Sequence, residues 1–242
     1  MWMICKKEWA QYFNSITGYL SITFFLLING LYLFVLPDSN LLTFGYADLT
    51  PFFTAAPFIL LFFVPTVTMR TIAEEKKQGT LEVLASLPLT TLDIILGKFL
   101  GSFLVSITVL IPTFTYAVTL NSLSSVGGID FGAVLGSYIG LILLMAVFAA
   151  MGILMSAVTQ NAVIALLSTC FVLLFLYAGL HALSKFTVLP GFLALFIDNL
   201  GIQAHYKSMS RGVIKLTDVF YFVALTALLL NFSRYYFKKI FQ

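Results

Sequence analysis

The chain has 242 residues, of which 60% are hydrophobic and only 10% are charged, with 13 Lys or Arg against 10 Asp or Glu. About a quarter of the residues of a soluble domain are charged, and a disordered chain combines low hydrophobicity with high charge, so both classes are excluded. The net charge of +3 is too small for a protein that follows nucleic-acid phosphates. The composition therefore indicates an integral membrane protein.

Residues 2–17 are predicted to form an amphipathic helix that lies along the membrane surface. Apolar residues recur there at three- and four-residue spacing, and Lys6, Lys7 and Gln11 fall on other faces. Such a helix is either a plain membrane anchor or an elbow that moves with the first span. The sequence leaves both alternatives open.

Five long uncharged stretches follow, and they predict six membrane-spanning helices, because the longest, between Asp130 and Lys185, has room for two. Ionisable groups are expensive in hydrocarbon, and a spanning helix needs roughly 20 apolar residues. The predicted spans are 18–36, 53–72, 94–119, 132–157, 161–183 and 217–234. The apolar runs are unbroken, whereas a barrel strand alternates apolar and polar residues. The fold class is therefore an all-α polytopic membrane protein, with residues 1–242 forming a single transmembrane domain.

The distribution of Lys and Arg predicts that both termini are cytoplasmic, because cytoplasmic loops carry an excess of these residues. In that orientation only four basic residues lie outside, and all of them fall within 184–216. They are Lys185, Lys207, Arg211 and Lys215.

The longest charged stretch, residues 70–98, connects the second and third spans. Gly79 interrupts a helix-compatible run, Thr80 can cap a new helix, and Pro88 ends it. The leucines that share one face of this helix are Leu81, Leu84 and Leu87. A helix this short is unstable alone, so it either binds the groove of a partner or only connects two spans.

Glycines recur every four residues at the start of the fourth span, at Gly132, Gly136 and Gly140. This spacing lets helices approach closely. It predicts tight packing either inside one subunit or across a dimer interface.

Residues 74–88, EEKKQGTLEVLASLP, resemble the signature E-x-x-x-G-T-x-E-x-L-x-x-x-P of ABC-2 type ABC transporter permeases. The matching positions are Glu75, Gly79, Thr80, Glu82, Leu84 and Pro88. Further stretches at 16–35, 49–70, 97–101 and 210–222 are similar to the gliding-motility-associated branch of these permeases. The resemblance covers nearly the whole chain.

The resemblance implies a cytoplasmic coupling helix within 73–93 that sits in a cleft of a separate ATPase subunit. The residues expected to couple to the ATPase are Glu74, Glu75, Gly79, Thr80, Leu81, Glu82, Leu84 and Pro88. ATP and Mg would bind only the ATPase, because this chain has no G-x-x-x-x-G-K-[ST] loop. The chain is expected to be non-catalytic, with no cofactor or metal of its own.

The same resemblance implies partners and a location. The complex would hold two ATPase subunits and a second copy of this permease or a related one, in the bacterial cytoplasmic (inner) membrane. Membrane lipids and an accessory protein on the periplasmic side are further expected contacts, and nucleic acid is not.

The segment 184–216 is implied to enter the membrane as short re-entrant helices, with Pro190 and Gly191 between them. Its polar residues either contact a substrate headgroup or pair with one another. They are Asp198, His205, Lys207 and Arg211.

Two functions from different classes fit these features. One is the permease half of an exporter of a lipid-like or hydrophobic substrate, in which Arg70 lies at the mouth of the pathway or pairs with Glu74. The other is a non-transporting scaffold that passes ATPase-driven movement to a partner outside. A proton-coupled carrier is disfavoured because no carboxylate or Lys falls in the middle of a span.

Overall fold

The computed structural model describes residues 1–36, 48–81, 88–124, 128–185 and 191–239. Within these ranges the chain is helical and contains no strand. The helices are α1 (Trp2–Phe13), α2 (Ile16–Phe34), α3 (Thr50–Thr68), α4 (Ala73–Gln78), α5 (Thr91–Leu110), α6 (Phe114–Leu123), α7 (Phe131–Val158), α8 (Ala162–Leu174), α9 (Leu180–Ser184), α10 (Gly191–Leu200), α11 (Ile202–Met209) and α12 (Leu216–Lys239). A π-helical turn, Phe175–Gly179, joins α8 to α9.

In the part of the chain that the structure describes, six helical stretches are long and apolar enough to cross a membrane, which confirms the predicted fold class. They are Ile16–Phe34, Thr50–Gln78, Thr91–Leu123, Phe131–Val158, Ala162–Ser184 and Leu216–Lys239. Because successive spans alternate in direction, α1, α4 and the end of α12 lie at one end of the bundle, which we call the α1 end. Helices α10 and α11 lie at the opposite end, the α11 end.

Helix α7 is the centre of the bundle and packs against α3, α5, α8 and α12. Its N-terminus is capped by Asp130, whose carboxylate accepts hydrogen bonds from the backbone N–H groups of Gly132 and Ala133. Leu141, Met145 and Phe148 are fully buried along it. Helices α2, α8 and α12 leave most of their surface exposed, so they form the periphery.

The glycines of α7 let other parts of the same chain approach its backbone. A Cβ on Gly136 would lie 2.7 Å from the carbonyl oxygen of Gly212, and one on Gly140 would lie 2.7 Å from Cβ of Met209. At the other end of α7, Gly152 is in equally close contact with Thr68 of α3. Gly136 and Gly140 thus pack inside one subunit, which is one of the two alternatives predicted for the glycine spacing; a dimer interface at these residues stays a prediction.

Helix α3 contains two internal prolines, and other helices bind the carbonyls that these prolines leave without partners. Proline has no N–H, so Pro57 and Pro65 cannot donate to the carbonyls four residues earlier. The phenol of Tyr206 donates to the carbonyl of Phe53 at 2.8 Å. The thiol of Cys170 contacts the carbonyl of Leu61 at 3.5 Å. Helix α11 and the span α8 thus bind α3 at the two positions where its prolines interrupt the hydrogen-bond ladder.

The third predicted span differs from the structure. The predicted span 94–119 is two helices, α5 and α6, because Pro112 cannot donate to the carbonyl of Thr108 and ends the regular ladder. At this break, the hydroxyls of Thr113 and Tyr138 of α7 hydrogen-bond each other at 3.1 Å.

In the segment 184–216, α10 and α11 meet at Gly201. Gly191 begins α10 and Pro190 lies outside the described residues, so the break predicted at these two residues stays a prediction.

Replacing Tyr206 by Phe is expected to lower the free energy of unfolding by about 1–3 kcal/mol, the cost of leaving a buried carbonyl without a donor. Tyr206 is 2% exposed, and burial raises the pKa of its phenol well above the ordinary value, so it remains a donor over the accessible pH range. Thermal unfolding in detergent measures the change. Tyr235→Phe, at a phenol 66% exposed, is the matched control, and equal stability of the two variants would contradict the assignment.

Candidate functional site

Helix α4 and the residues after it form the start of the predicted coupling segment. Glu74 and Glu75 occupy the first turn of α4, and Lys76 and Lys77 occupy the last, as the helix dipole favours. Gly79 ends the helix with a φ of 72°, a left-handed conformation that a residue with a Cβ adopts only with strain. This turn sets the direction in which the chain leaves α4.

The segment resumes as helix directly after Gly79. Thr80 and Leu81 are helical, Leu81 is buried, and the hydroxyl of Thr80 donates to the carbonyl of Glu75 at 3.3 Å. Glu82 and Leu84 lie outside the described residues. Pro88 is exposed, ahead of the N-cap of α5. The coupling helix and its contacts with an ATPase therefore stay predictions.

The junction between α3 and α4 is bound by Ser156 from the end of α7. Its hydroxyl accepts from the backbone N–H groups of Ile72 and Ala73 at 3.1 and 2.9 Å. It also donates to the carbonyl of Met69 at 3.1 Å. One side chain thus satisfies backbone groups on both sides of the break between α3 and α4.

A buried lysine binds α4 on its other side. Lys98 of α5 is fully buried, and its Nζ lies 2.9 Å from Oε1 of Glu8 in α1 and 2.8 Å from Oε2 of Glu75 in α4. The same ammonium donates to the carbonyl of Thr71 in the junction. The charged ammonium of Lys98 therefore joins α5 to α1 and to α4 with the junction before it, although these elements are distant in sequence.

A second lysine completes this cluster. Nζ of Lys7 lies 2.9 Å from Oε1 of Glu75, so two cations face two carboxylates and the cluster is neutral. Burial alone would lower the pKa of Lys7, but the hydrogen bond and the charge of Glu75 outweigh it and raise the pKa. Lys7 therefore remains charged. We call Glu8, Glu75, Lys7 and Lys98 the ion cluster.

Two glycines on α5 allow α1 to lie close enough for the ion cluster to form. A Cβ on Gly97 would lie 2.8 Å from Cβ of Ile4, and one on Gly101 would lie 2.6 Å from Cβ of Glu8. The stretch GKFLG thus combines two small residues that admit α1 with the lysine that pairs with it. Helix α1 is consequently packed on the bundle as well as amphipathic.

The site residues predicted between α3 and α5 are only partly brought together. Glu75 has a side chain 14% exposed, and both of its oxygens contact lysines. Arg70 and Glu74 are exposed, and their Nε and Oε2 atoms are 3.9 Å apart. Sequence reasoning missed the roles of Glu8, Lys7 and Lys98. The glycines flanking Lys98 were the available signal, since they indicate a close helix contact at that position.

Two of the four polar residues singled out in the segment 184–216, Asp198 and His205, pair with residues other than those four. Asp198 lies 2.7 Å from Nδ1 of His181. His205 lies 2.8 Å from Asp218 through Nδ1 and 2.9 Å from the carbonyl of Asn199 through Nε2. These contacts tie α10 to α9 and α11 to α12. The roles predicted for Asp198 and Arg211 in substrate contact stay predictions.

Arg211 lines a pocket of about 140 Å³ at the α11 end, together with Asp48 and Asp130. Both aspartates already bind helix N-termini: Asp48 accepts from the backbone N–H and the hydroxyl of Thr50 at the start of α3, and Asp130 caps α7. In the part of the chain that the structure describes, no three His, Cys, Asp or Glu side chains are placed to hold a metal ion.

Replacing Lys98 by Met is expected to destabilise the protein by about 3–5 kcal/mol, because two buried carboxylates lose their shared partner. Adding Glu8→Gln and Glu75→Gln to the same chain should recover much of that loss, because the uncompensated charges are then gone. Lys76→Met, on the same end of the bundle but outside the ion cluster, is the control. Unfolding in detergent measures all three. Recovery no better than the single variant would contradict the charge argument.

Gly101→Leu is expected to displace α1 from α5, which a labelling rate can detect. Cys5 is buried on α1, and burial together with the nearby charge of Glu8 raises the pKa of its thiol, so alkylation should be slow in the native protein. The variant should be alkylated faster at Cys5. Gly30→Leu is the matched control, since a Cβ there meets nothing within 4 Å. An unchanged rate in Gly101→Leu would show that α1 is not seated on Gly101.

Comparison with known proteins agrees with this architecture. The family described as ABC-2 family transporter protein matches residues 2–240. None of the curated proteins searched matches the chain. Members of the family are the membrane components of ABC transporters, and the ATPase is a separate subunit, so this chain is not catalytic by itself. The six apolar helices and the match over almost the full length show that the chain belongs to the ABC-2 family of transporter proteins, as a multi-pass permease subunit.

Proposed function

We propose that this permease exports a lipid-like or hydrophobic substrate across the bacterial cytoplasmic membrane. Two ATPase subunits bind residues 74–88 of two permeases, which are identical or related. The α1 end, with both termini, faces the cytoplasm, and the α11 end faces outward. ATP and Mg²⁺ are bound by the ATPase subunits only. Placement in the gliding-motility-associated branch is part of this proposal and rests on the sequence stretches that resemble it.

The observation that carries the proposal is the attachment of α4 to the bundle. Ser156 binds the start of α4 to α7, and Lys98 binds Glu75 of α4 to α5. Glu8 extends the same contact to α1. A force applied to the segment that follows α4 is therefore transmitted to three helices at once.

This attachment suggests how ATP binding would act. Closure of the ATPase pair would push the two 74–88 segments toward each other, and each α4 would carry α1, α5 and α7 with it as one rigid body. Helix α3 would bend at Pro57 and Pro65, where its own hydrogen-bond ladder is interrupted. Because Tyr206 binds α3 beside the first of these points, the bend would reach the α11 end.

The buried polar residues of the spans support a hydrophobic substrate. Their side chains bond to carbonyls of their own helix: Asn29 to Phe25, Ser102 to Lys98 and Ser106 to Ser102. Thr68 and Ser233 do the same in α3 and α12. A hydrophilic pathway needs polar groups that remain available to the substrate. The N–H and O–H donors of these side chains are already bonded within their helices, and within the described residues the amide oxygen of Asn29 is the one buried polar atom among them without a partner. The acyl chains of a lipid-like substrate need no such groups.

The docking assignment is tested by purifying the permease together with its ATPase. Glu82→Arg combined with Leu84→Asp is expected to abolish ATPase binding, because it reverses one charge and places another on the apolar face of the predicted coupling helix. The amount of ATPase recovered with the permease is the measurement. Lys207→Glu, at the α11 end, also changes a charge and is expected to leave binding unchanged.

Two outcomes would contradict the proposal. Equal ATPase recovery with both variants would place the docking surface outside 74–88. If docking is confirmed but the complex moves no labelled lipid between leaflets of a vesicle, the chain is a scaffold that transmits ATPase-driven movement.

A further inference from the structure

A polar cavity of about 230 Å³ opens at the α1 end of the permease, between α1, the start of α2, the end of α3, α4 and α5. Its wall is rich in groups that can bond a polar ligand. They include Gln11, Ser15, Thr17, Thr66, Arg70 and Glu74. The cavity lies beside the ion cluster, and Glu8 and Glu75 form part of its wall.

Among the charged side chains that line this cavity, one cation, Arg70, is available to bind a ligand. Glu8 and Glu75 are already neutralised by Lys98 and Lys7. Arg70 is paired only with Glu74, through Nε at 3.9 Å, and both side chains are more than a third exposed. Such a surface pair contributes little. Within the described residues the remaining N–H groups of the Arg70 guanidinium have no other partner, so they can bind an anion from solution or from the membrane.

The surroundings of the cavity suit a ligand with an apolar tail. Ser15 and Thr17 line the cavity at the turn into α2, and the adjoining face of α2 is apolar and exposed. The exposed residues there are Ile16, Tyr19 and Leu20. Helix α1 also exposes Trp2 and Met3 at its start, as an amphipathic helix at a membrane surface does. A headgroup in the cavity would therefore leave its acyl chains against an apolar surface.

We propose that this cavity binds the phosphate headgroup of an amphiphile from the membrane leaflet at the α1 end. Arg70 supplies the cation, because a guanidinium presents parallel N–H groups that match two phosphate oxygens. Gln11 and Thr17 supply neutral hydrogen-bond donors, whereas the hydroxyl of Thr66 already donates to the carbonyl of Phe62. Glu74 accepts from the ammonium group where the headgroup carries one.

This inference rests on the proposed function and deepens it, since it names the substrate class. Thr71, Glu75 and Gln78 also line the cavity, so its wall includes α4 and the junction before it. A bound headgroup would contact the same helix that leads to the docking segment. Occupancy of the cavity and movement of α4 would thus be coupled through direct contact.

The test measures equilibrium binding of radiolabelled dihexanoyl-phosphatidylethanolamine to the purified permease in detergent, without ATPase. Saturable binding is expected. Arg70→Gln should raise the Kd about tenfold or more, because the loss of one hydrogen bond to a charged group changes the Kd by about that factor. Arg70→Lys should give an intermediate Kd, because it keeps the charge but loses the paired N–H groups. Arg234→Gln, an exposed arginine of α12, is the control and should leave the Kd unchanged.

Competition by two further ligands shows which part of the lipid the cavity recognises. Dihexanoylglycerol has the same chains without phosphate and should compete weakly. Inorganic phosphate has no chains and should also compete weakly. If phosphate alone displaces the lipid at equal concentration, the cavity binds a small anion and the amphiphile assignment is overturned. If Arg70→Gln binds the lipid as well as the unaltered protein, the cavity assignment is overturned.

Folding and docking are checked separately. Alkylation of Cys5 is measured in Arg70→Gln as well, and a rate as slow as in the unaltered protein shows that α1 stays in place and that a loss of binding does not come from its displacement. The lipid assay contains no ATPase and therefore does not depend on residues 74–88. Preserved lipid binding with failed ATPase docking would overturn the proposed coupling and leave this site standing, and the reverse result would overturn only this site.

Discussion

The burial of one ammonium group organises the α1 end of this protein. Lys98 has no access to solvent, and a charge in that position is tolerated only when carboxylates and carbonyls surround it. Glu8 and Glu75 come from α1 and α4, and the carbonyl of Thr71 comes from the junction before α4. The lysine therefore requires these elements to lie together. The short helix α4 cannot hold its place by its own stability and depends on this contact.

The same principle operates along the central helices, where backbone groups rather than charges need partners. Pro57 and Pro65 leave two carbonyls of α3 without helical donors, and Tyr206 and Cys170 bind them from other parts of the chain. Each contact fastens α3 at a point where it can bend. A transporter needs rigid bodies joined at defined positions. Here each predicted joint in α3 coincides with a specific contact between helices.

The ion cluster and the cavity beside it give the α1 end two distinct electrostatic environments. In the cluster, cations and carboxylates balance one another, and Lys98, Glu8 and Glu75 are largely withdrawn from water, whereas Lys7 is half exposed. In the cavity, Arg70 is exposed and weakly paired with Glu74. Closely paired, largely buried charges hold helices together, whereas a weakly paired exposed cation can bind a ligand. The ion cluster includes Glu75 of α4, and Arg70 lies three residues before this helix. Anchoring and proposed substrate recognition therefore involve the same short element and the junction before it.

Much of the fold followed from the sequence because membrane spans are limited by a single strong constraint. Apolar length and charge avoidance determined the six spans and the all-helical class, and the segment 74–88 together with four other stretches pointed to the family. The close packing at Gly136 and Gly140 was also expected, although its partners, Gly212 and Met209, were not. Hydropathy could not show the break at Pro112 or the pairing of Lys98, because both depend on which groups meet in three dimensions. Lys98 appears in the sequence as a charge at the edge of a span, and only the approach of α1 through Gly97 and Gly101 buries it. Composition thus determined what crosses the membrane, and tertiary contacts decided which charges are anchors and which remain available to a ligand.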